Sequence, residues 1–397
     1  MKLSARVQAC GLSPIRKFHP YAVAAKEKGR EIFHLNIGQP DIETPPAFFE
    51  AVKNFDEKVL EYAPSPGLPA LIEAIRTYYK KIGVELEESD ILVTTGGSEA
   101  LQMLLNCILD DGSEVLIPEP FYANYHTFTT AAGGKIVAIP TTVEEGYRYA
   151  DRERIEALIT ENTRAILVTT PGNPTGLVLS KEEMKVIVDV AMEHDLYIIS
   201  DEVYREFYYG GKGLAASMAE FSEAAEHVVI IDSMSKRFSA CGARVGCLIS
   251  KNKALMGEAL KFCQARLSVA TLDQVASAAL YSVDDDYYAA VRKEYQLRRD
   301  TVVNALQKMP GVTTACPEGA FYLMAALPVE DAEEFQLWLL NEFEDNGQTV
   351  MFSPAGSMYA TEGIGKNEIR IAYVLKQERL ERAMELLRIA LEQYNRK

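Results

Sequence analysis

One stretch of the chain combines an apolar strand with a lysine, two serines and an arginine. Residues 228–246 read VVIIDSMSKRFSACGARVG and open on four apolar, β-branched residues, typical of a strand covered on both faces. Ser233, Ser235 and Lys236 follow where this strand ends, and Arg244 comes eight residues after the lysine. Open α/β sheets build their ligand sites at the carboxyl ends of strands, so we expect Lys236 to face a site.

These side chains match the needs of a carbonyl compound that carries a phosphate. A partly desolvated lysine has a lowered pKa, and its amine can attack a carbonyl carbon. Serine hydroxyls and a forked guanidinium are donors that suit a phosphate. Together they suggest pyridoxal phosphate held by Lys236 as a Schiff base. Taken alone, the stretch is equally compatible with an ordinary solvated loop, so the interpretation depends on other stretches.

The composition is that of an ordinary globular chain with an acidic balance. The chain has 397 residues, long enough for two domains, and a formal net charge of −16. This charge argues against broad binding of nucleic acid or anionic membranes. The six cysteines and five histidines are scattered without metal-like spacing, so we expect no metal site and a reducing compartment. No apolar run resembles a signal peptide or a membrane span, which predicts a cytoplasmic protein.

Apolar strands alternate with helical stretches through the middle of the chain. The predicted strands are 91–95, 114–117, 135–139, 164–169, 196–200, 228–232 and 244–249. Helical spacing marks 98–109 and 181–193, and more weakly 214–225. This alternation predicts an α/β fold with a mainly parallel, seven-stranded sheet between helices. The short link between the last two strands favours an antiparallel pair there, because a parallel crossover needs more residues.

The rest of the chain predicts a smaller α+β domain. Three aspartates at 284–286 suit the start of a long helix. Short strands at 320–325, 349–352 and 368–372 and helices at 332–346 and 377–394 follow it. We therefore expect an N-terminal arm at 1–45 that joins the small domain, a large domain at 46–285 and a small C-terminal domain at 286–397.

Two motifs of the large domain suit an anion and an aromatic ring. Gly97, Ser98 and Glu99 open a helix whose free N–H groups and dipole favour an anion, although such glycine turns are often structural. Tyr122 follows the next strand in PEPFYANYHTF. Its ring either stacks on a heteroaromatic ligand or packs beneath the loop.

Three further motifs place polar side chains after or within apolar strands. Asn173 lies in the constrained loop PGNPTG, from which its amide can reach a phenolate oxygen and a carboxylate. Asp201 ends a strand, where it either pairs with a protonated pyridine nitrogen or caps the next turn, and Tyr204 follows as a donor to the ring oxygen. Arg370 lies in the strand NEIRIA and requires a bound carboxylate or an internal ion pair.

The ordered set of motifs resembles the fold-type I, class I/II aminotransferases, the aspartate aminotransferase superfamily. The set is GGSEA, PEPFYANY, NPTG, DEVY, SMSK with GARVG, and NEIRIA, and the resemblance runs from about residue 36 to the C-terminus. It implies an enzyme with pyridoxal 5'-phosphate as cofactor, an amino acid and a 2-oxo acid as substrates, and a homodimer with shared active sites.

The resemblance also implies a role for each motif residue. Lys236 is then the Schiff-base lysine and proton carrier, Asp201 pairs with the pyridine nitrogen, and Asn173 and Tyr204 contact the ring oxygen. Tyr122 stacks on the ring. The phosphate ligands are Ser98, Ser233, Ser235 and Arg244, with N–H groups from Gly97 and Glu99.

Other matches concern the substrate and the partner subunit. Arg370 matches the residue that binds the α-carboxylate, and Gly38 in NIGQPD matches a glycine that lies against the substrate. Tyr62 matches a tyrosine given to the phosphate of the partner subunit, which implies an obligate dimer.

The pocket for the substrate side chain departs from one family pattern. Some bacterial aspartate aminotransferases have a lysine directly after the glycine pair, where this chain has Ser98. Arg266 lies in a segment that reaches the partner's active site in the family. It either supplies the missing positive charge or is a surface or interface charge.

Aspartate with 2-oxoglutarate is the first substrate prediction, and aromatic or alanine-type transamination is the second. A β-eliminating C–S lyase shares the fold and the lysine. A non-catalytic binding module is disfavoured because a competent residue fills every position that contacts the cofactor.

Overall fold

The structure, a computed structural model, describes residues 1–14, 16–211 and 213–396. The helices are α1 Ala5–Ala9, α2 His19–Glu27, α3 Pro46–Lys53, α4 Pro69–Lys80, α5 Gly96–Ile108, α6 Asn124–Ala131, α7 Arg152–Glu156, α8 Lys181–Glu193, α9 Met234–Arg237, α10 Lys253–Arg266, α11 Thr271–Leu280, α12 Asp285–Leu306, α13 Ala332–Asn341 and α14 Gln377–Tyr394. The strands are β1 Glu31–His34, β2 Ile91–Thr94, β3 Glu114–Pro118, β4 Lys135–Ile139, β5 Thr163–Thr169, β6 Tyr197–Asp201, β7 Val228–Ser233, β8 Gly246–Ser250, β9 Thr313–Thr314, β10 Tyr322–Ala326, β11 Gln348–Met351, β12 Ser353–Pro354 and β13 Glu368–Ala372. In these ranges no helix is long and apolar enough to cross a membrane.

Seven strands of the described chain form one large sheet in the order β2-β8-β7-β6-β5-β3-β4. The strands from β3 to β7 pair in parallel, and β8 runs antiparallel to both of its neighbours, β7 and β2. The predicted mainly parallel sheet and its antiparallel last pair are confirmed. Because β2, β5, β6 and β7 run in the same direction, their carboxyl ends meet at one edge of the sheet.

Helices cover this sheet on both faces because side chains along each strand alternate between two apolar cores. Leu167 and Ile199 pack in one core, together with residues of α5 and α10. Ile166 and Ile198 pack in the other core, with residues of α4 and α8. The two cores hold the central strands rigidly, which fixes the positions of the side chains at the strand ends.

Smaller sheets combine the N-terminal and C-terminal parts of the chain. β1 pairs in parallel with β11, and β12, β13, β10 and β9 form an antiparallel sheet. A third apolar core joins them, with Phe33 of β1 beside Phe335, Phe352 and Leu387. The N-terminal strand therefore joins the C-terminal sheet region as predicted, while the boundaries at residues 45 and 285 stay a prediction.

The structure differs from the predicted elements in three places. Residues 214–225 form two short 3-10 turns instead of a helix, because Phe221 between them has a non-helical backbone (φ −87°, ψ 84°). The last strand of the large sheet begins at Gly246 rather than at Arg244, which adopts a left-handed conformation with φ 53°. Such a conformation in an arginine is strained and is typical of functional turns. α13 ends at Asn341 rather than at 346.

Candidate active site

A cavity of about 830 Å³ lies where strands of the large sheet end. This volume is typical of sites for small molecules. The predicted site residues that line it are Gly38, Gly97, Ser98, Tyr122, Asn173, Asp201, Tyr204, Ser233, Ser235, Lys236, Arg244 and Arg370. Nowhere in the described ranges do three His, Cys, Asp or Glu side chains form a group that could hold a metal ion.

The start of α5 and the turn before β8 place donors against one part of the cavity. Gly96 has φ 75°, and a Cβ at this position would lie 2.7 Å from Nη2 of Arg244. A side chain at position 96 would therefore push the guanidinium away from the first turn of α5, and the positive φ also favours glycine here. Ser233 Oγ lies 2.9 Å from Ser235 Oγ, and the Ser98 side chain also faces the cavity. Hydroxyl groups, a guanidinium and a helix N-terminus together suit a phosphate.

Asp201 lies at the centre of the sheet edge, at the end of β6. It accepts a hydrogen bond of 2.7 Å from the hydroxyl of Tyr125. Burial raises the pKa of Asp201 to about 6, and the Tyr125 hydrogen bond offsets part of this effect. A cationic group in the cavity would lower this pKa and stabilise the carboxylate. Tyr125 itself was not predicted as a site residue, although it is the last tyrosine of the PEPFYANY motif.

Lys236 lies on α9, directly after β7, and points its amine toward the smaller sheets. Nζ donates a hydrogen bond of 2.9 Å to the backbone oxygen of Gly38 and lies 4.0 Å from Cys241 Sγ. The amine therefore connects the large sheet to the loop after β1. Cys241 was also not predicted, because a lone cysteine in a loop carries no recognisable spacing.

Arg370 is buried on β13, with 3% of its surface exposed. Its Nη1 donates to Asn173 Oδ1 at 3.0 Å, and its Nη2 donates to the backbone oxygen of Asn36 at 2.9 Å. Nε has no hydrogen-bond partner among the described residues. All the partners are neutral, so the buried positive charge is uncompensated, which is costly without an anionic ligand.

A group of tyrosines forms another part of the cavity wall. The hydroxyls of Tyr204 and Tyr322 lie 3.1 Å apart, and burial raises the pKa of Tyr204 well above its ordinary value, so its hydroxyl keeps its proton. A Cβ at Gly38 would lie 1.7 Å from the Tyr322 hydroxyl, so only glycine fits there. The ring of Tyr122 stands nearly perpendicular to that of Tyr125, with centroids 5.5 Å apart. Tyr322 was not predicted as a site residue, because an aromatic residue in an apolar strand is usually part of the hydrophobic core.

Three predicted site residues do not line the cavity of their own chain. Glu99 accepts a 2.6 Å hydrogen bond from the Thr95 N–H and thereby closes the turn before α5. Arg266 donates to the backbone oxygen of Val93 at 2.9 Å, and its Nε lies 3.4 Å from Glu99 Oε1. Tyr62 is 79% exposed. The roles of Arg266 and Tyr62 toward a partner subunit stay predictions.

The N-terminal arm contributes cavity residues that the sequence did not reveal. Ser13, Arg16, His19 and His34 all line the cavity. Burial and the nearby Lys26 lower the pKa of His34, which favours its neutral form. The arm carries no motif and no periodic pattern around Arg16, so only the tertiary structure shows that this segment reaches the site.

Comparisons with known proteins agree with the motifs. The family model for aminotransferase class I and II matches residues 30–387. The chain is 32% identical to an aspartate aminotransferase of Pyrococcus horikoshii over 371 residues, and this alignment covers 92% of each chain. It is 34% identical to aromatic-amino-acid aminotransferase 2 of Thermococcus litoralis over 403 residues, and this alignment covers 99% of each chain.

A solved structure shows the same fold. The aspartate aminotransferase from Thermus thermophilus with maleate matches with a TM-score of 0.88 and 28% identity, over 98% of this chain and 100% of that one. The predicted family resemblance and the predicted fold class are both confirmed.

Proposed function

The chain belongs to the class I and II aminotransferases, and from this premise we propose that it moves the amino group of aspartate to a 2-oxo acid such as 2-oxoglutarate, with pyridoxal 5'-phosphate as cofactor. One observation carries the proposal: Lys236, Asp201, Arg244 and Arg370 come from separate segments and line one cavity. They supply an amine, a counter-ion for a cationic ring, a phosphate ligand and a carboxylate ligand.

The residues present fit pyridoxal phosphate. Gly96 leaves the space that Arg244 needs to reach a phosphate at the start of α5. Asp201, with its raised pKa, forms no ion pair with the described residues, and a protonated ring nitrogen would supply one. The other proposed contacts are Ser98, Ser233, Ser235 and the N–H groups of Gly97 and Glu99 for the phosphate, Asn173 and Tyr204 for the ring oxygen, and Tyr122 for the ring face.

The proposed reaction uses each of these groups at a defined atom. When bound, pyridoxal phosphate supplies an electron-withdrawing ring that stabilises negative charge at the α-carbon of the substrate. Lys236 Nζ would hold the cofactor, and as a free amine it would accept the proton that leaves the α-carbon of the substrate. The two Nη atoms of Arg370 hold the α-carboxylate and orient the α-carbon beside Lys236. Departure of one 2-oxo acid before a second enters makes the kinetics ping-pong.

Aspartate is the first candidate substrate because the relative from P. horikoshii and the T. thermophilus structure are named aspartate aminotransferases. Aromatic amino acids are the second candidate, since the relative from T. litoralis is named for them and matches nearly the whole chain.

We also propose that the protein is a homodimer with shared active sites. Val59, Leu60 and Tyr62 are 67%, 64% and 79% exposed in the single chain. Neighbouring exposed apolar side chains of this kind mark a protein contact surface. Cytoplasmic localisation stays a prediction.

The deciding experiment mixes the purified holoenzyme with single amino acids in the absence of an acceptor. Conversion of the cofactor to pyridoxamine phosphate, measured by chromatography after denaturation, is expected with aspartate and glutamate. Conversion by aromatic residues or alanine alone would replace the substrate and keep the enzyme class. Release of pyruvate and ammonia without pyridoxamine phosphate would identify a lyase and overturn the proposal.

A further inference from the structure

The arginines of the cavity differ from most other arginines of the chain in their partners. Arg16, Arg244 and Arg370 line the cavity, and no carboxylate of the described residues lies within ion-pair distance of any of them. Elsewhere in the described ranges each arginine pairs with a carboxylate, except the exposed Arg164 and Arg396. Among the cavity arginines, Arg370 is buried, whereas Arg16 and Arg244 are exposed. Asp201 is the one carboxylate residue in the described cavity lining. The cavity is therefore equipped for a ligand set with several negative groups.

Two of these arginines already have a proposed anionic ligand. Arg244 suits the cofactor phosphate, and Arg370 suits the α-carboxylate that every amino acid carries. Arg16 is left without one. A guanidinium in a cavity wall binds a carboxylate by charge-assisted hydrogen bonds, and the group that distinguishes aspartate and glutamate from other amino acids is a second carboxylate.

The segment that carries Arg16 is held in place on the smaller sheets. Phe18 is 2% exposed and packs with Ala22 of α2 and Met351 of β11. Lys17 forms an ion pair with Glu333 of α13. His19, at the start of α2, lines the cavity beside Arg16. The residues that directly follow Arg16 are thus anchored, which places the Arg16 backbone beside the cavity.

We propose that Arg16 binds the side-chain carboxylate of the dicarboxylic substrate and so determines the preference for aspartate and glutamate. This assignment rests on the proposed aminotransferase function and names the residue that selects its substrate class. The competing candidate, Arg266, is held by Glu99 and by the Val93 carbonyl in its own chain. Arg266 therefore has a carboxylate partner in its own chain, although its Nε and Nη1 make no hydrogen bond among the described residues. Arg16 is exposed, lines the cavity and has no carboxylate partner among the described residues.

The test compares Arg16→Met with the wild-type holoenzyme in the acceptor-free reaction. We expect kcat/KM for aspartate and glutamate to fall about 10- to 100-fold, the effect of losing hydrogen bonds to a charged group, while alanine and phenylalanine change less than about 3-fold. Arg16→Lys keeps the charge and is expected to restore part of the loss. Calorimetry supplies a second readout: maleate binding weakens by the same factor, and binding of the monocarboxylate crotonate does not change.

Three variants serve as controls. Lys28→Met removes an exposed cation of the N-terminal arm that does not line the cavity, and Arg164→Met removes a surface arginine without a carboxylate partner. Both are expected to keep the dicarboxylate preference. Arg266→Met tests the competing assignment directly.

Equal losses for all amino acids in Arg16→Met, or a selective loss in Arg266→Met alone, would overturn the assignment. An undiminished preference for dicarboxylates in Arg16→Met would do the same. If the wild-type holoenzyme converts no amino acid at all, the proposed function fails instead, so the two failures are distinguishable.

Discussion

Replacing Asp201 by asparagine is expected to stabilise the cofactor-free protein while it disables the enzyme. The asparagine keeps the size of the side chain, and its Oδ1 can accept the same hydrogen bond from the Tyr125 hydroxyl. What disappears is a carboxylate charge at the sheet edge that forms no ion pair with the described residues and is stabilised only weakly by Lys236. The same charge is the proposed counter-ion of the ring nitrogen, so stability and activity are expected to change in opposite directions.

The magnitude follows from the pKa of Asp201, which burial raises from 3.8 to about 6. Because the folded state binds the proton more tightly than the unfolded state, wild-type stability falls as the pH rises from about 4 to about 6. The full shift corresponds to about 3 kcal/mol, and we expect about 1 to 3 kcal/mol because part of the side chain faces the cavity. The advantage of asparagine is complete above about pH 6 and shrinks as the pH falls toward 4.

The assay is thermal unfolding of the cofactor-free proteins at pH 7.5 and pH 4.5. Asp201→Asn is expected to unfold roughly 1 to 5 °C above wild type at pH 7.5, with a smaller difference at pH 4.5. Added pyridoxal phosphate should then stabilise wild type more than the variant, and transamination by the variant should fall by about 100-fold or more.

Asp232→Asn is the matched control with the opposite expected sign. Asp232 is a buried carboxylate on the adjacent strand, but it pairs with Arg237 at 2.8 Å. Its loss leaves that arginine unpaired and should destabilise the protein by about 3 to 5 kcal/mol. A cofactor-free Asp201→Asn protein that is less stable than wild type at pH 7.5 would refute the reasoning about the uncompensated charge.

The remaining predictions concern the amine, the α-carboxylate site and the partner subunit. Lys236→Ala is expected to abolish turnover and to bind pyridoxal phosphate without a covalent link. Reduction with borohydride should therefore attach the cofactor permanently to the wild-type protein and not to the variant. Covalent labelling of the variant would contradict the assignment. Arg370→Lys should lower kcat/KM about 10- to 100-fold for every amino acid alike, since the fork is lost and the charge kept, and an effect confined to dicarboxylates would contradict its role. Tyr62→Phe should weaken cofactor binding about 10-fold. In a mixed dimer with Lys236→Ala, the subunit that keeps Lys236 receives an intact Tyr62 from its partner, so this site should bind the cofactor tightly again. Cofactor binding that does not change on mixing would argue against a contribution from the partner.

Several parts of the site were predictable because the chain encodes them locally. Lys236, Asp201 and Asn173 each follow an apolar run that predicts a buried strand, and parallel strands bring their carboxyl ends to one edge. Strand type and approximate position followed from apolar runs in the same way. The backbone conformations of single residues could not be predicted in this way. Arg244 has a left-handed backbone conformation, so β8 begins two residues later than its apolar pattern suggested.

The sequence by itself predicted which polar side chains lie at the ends of the large-sheet strands. Each of these residues directly follows a strand that its local hydrophobic pattern defines. Only the tertiary structure showed that Tyr322 and the N-terminal arm complete the cavity. Tyr322 and Arg370 lie on neighbouring strands of the small sheet, and Arg16 reaches the cavity because Phe18 packs beside β11. Such contacts depend on packing between residues hundreds of positions apart, and no local pattern in the arm records where its arginine comes to lie.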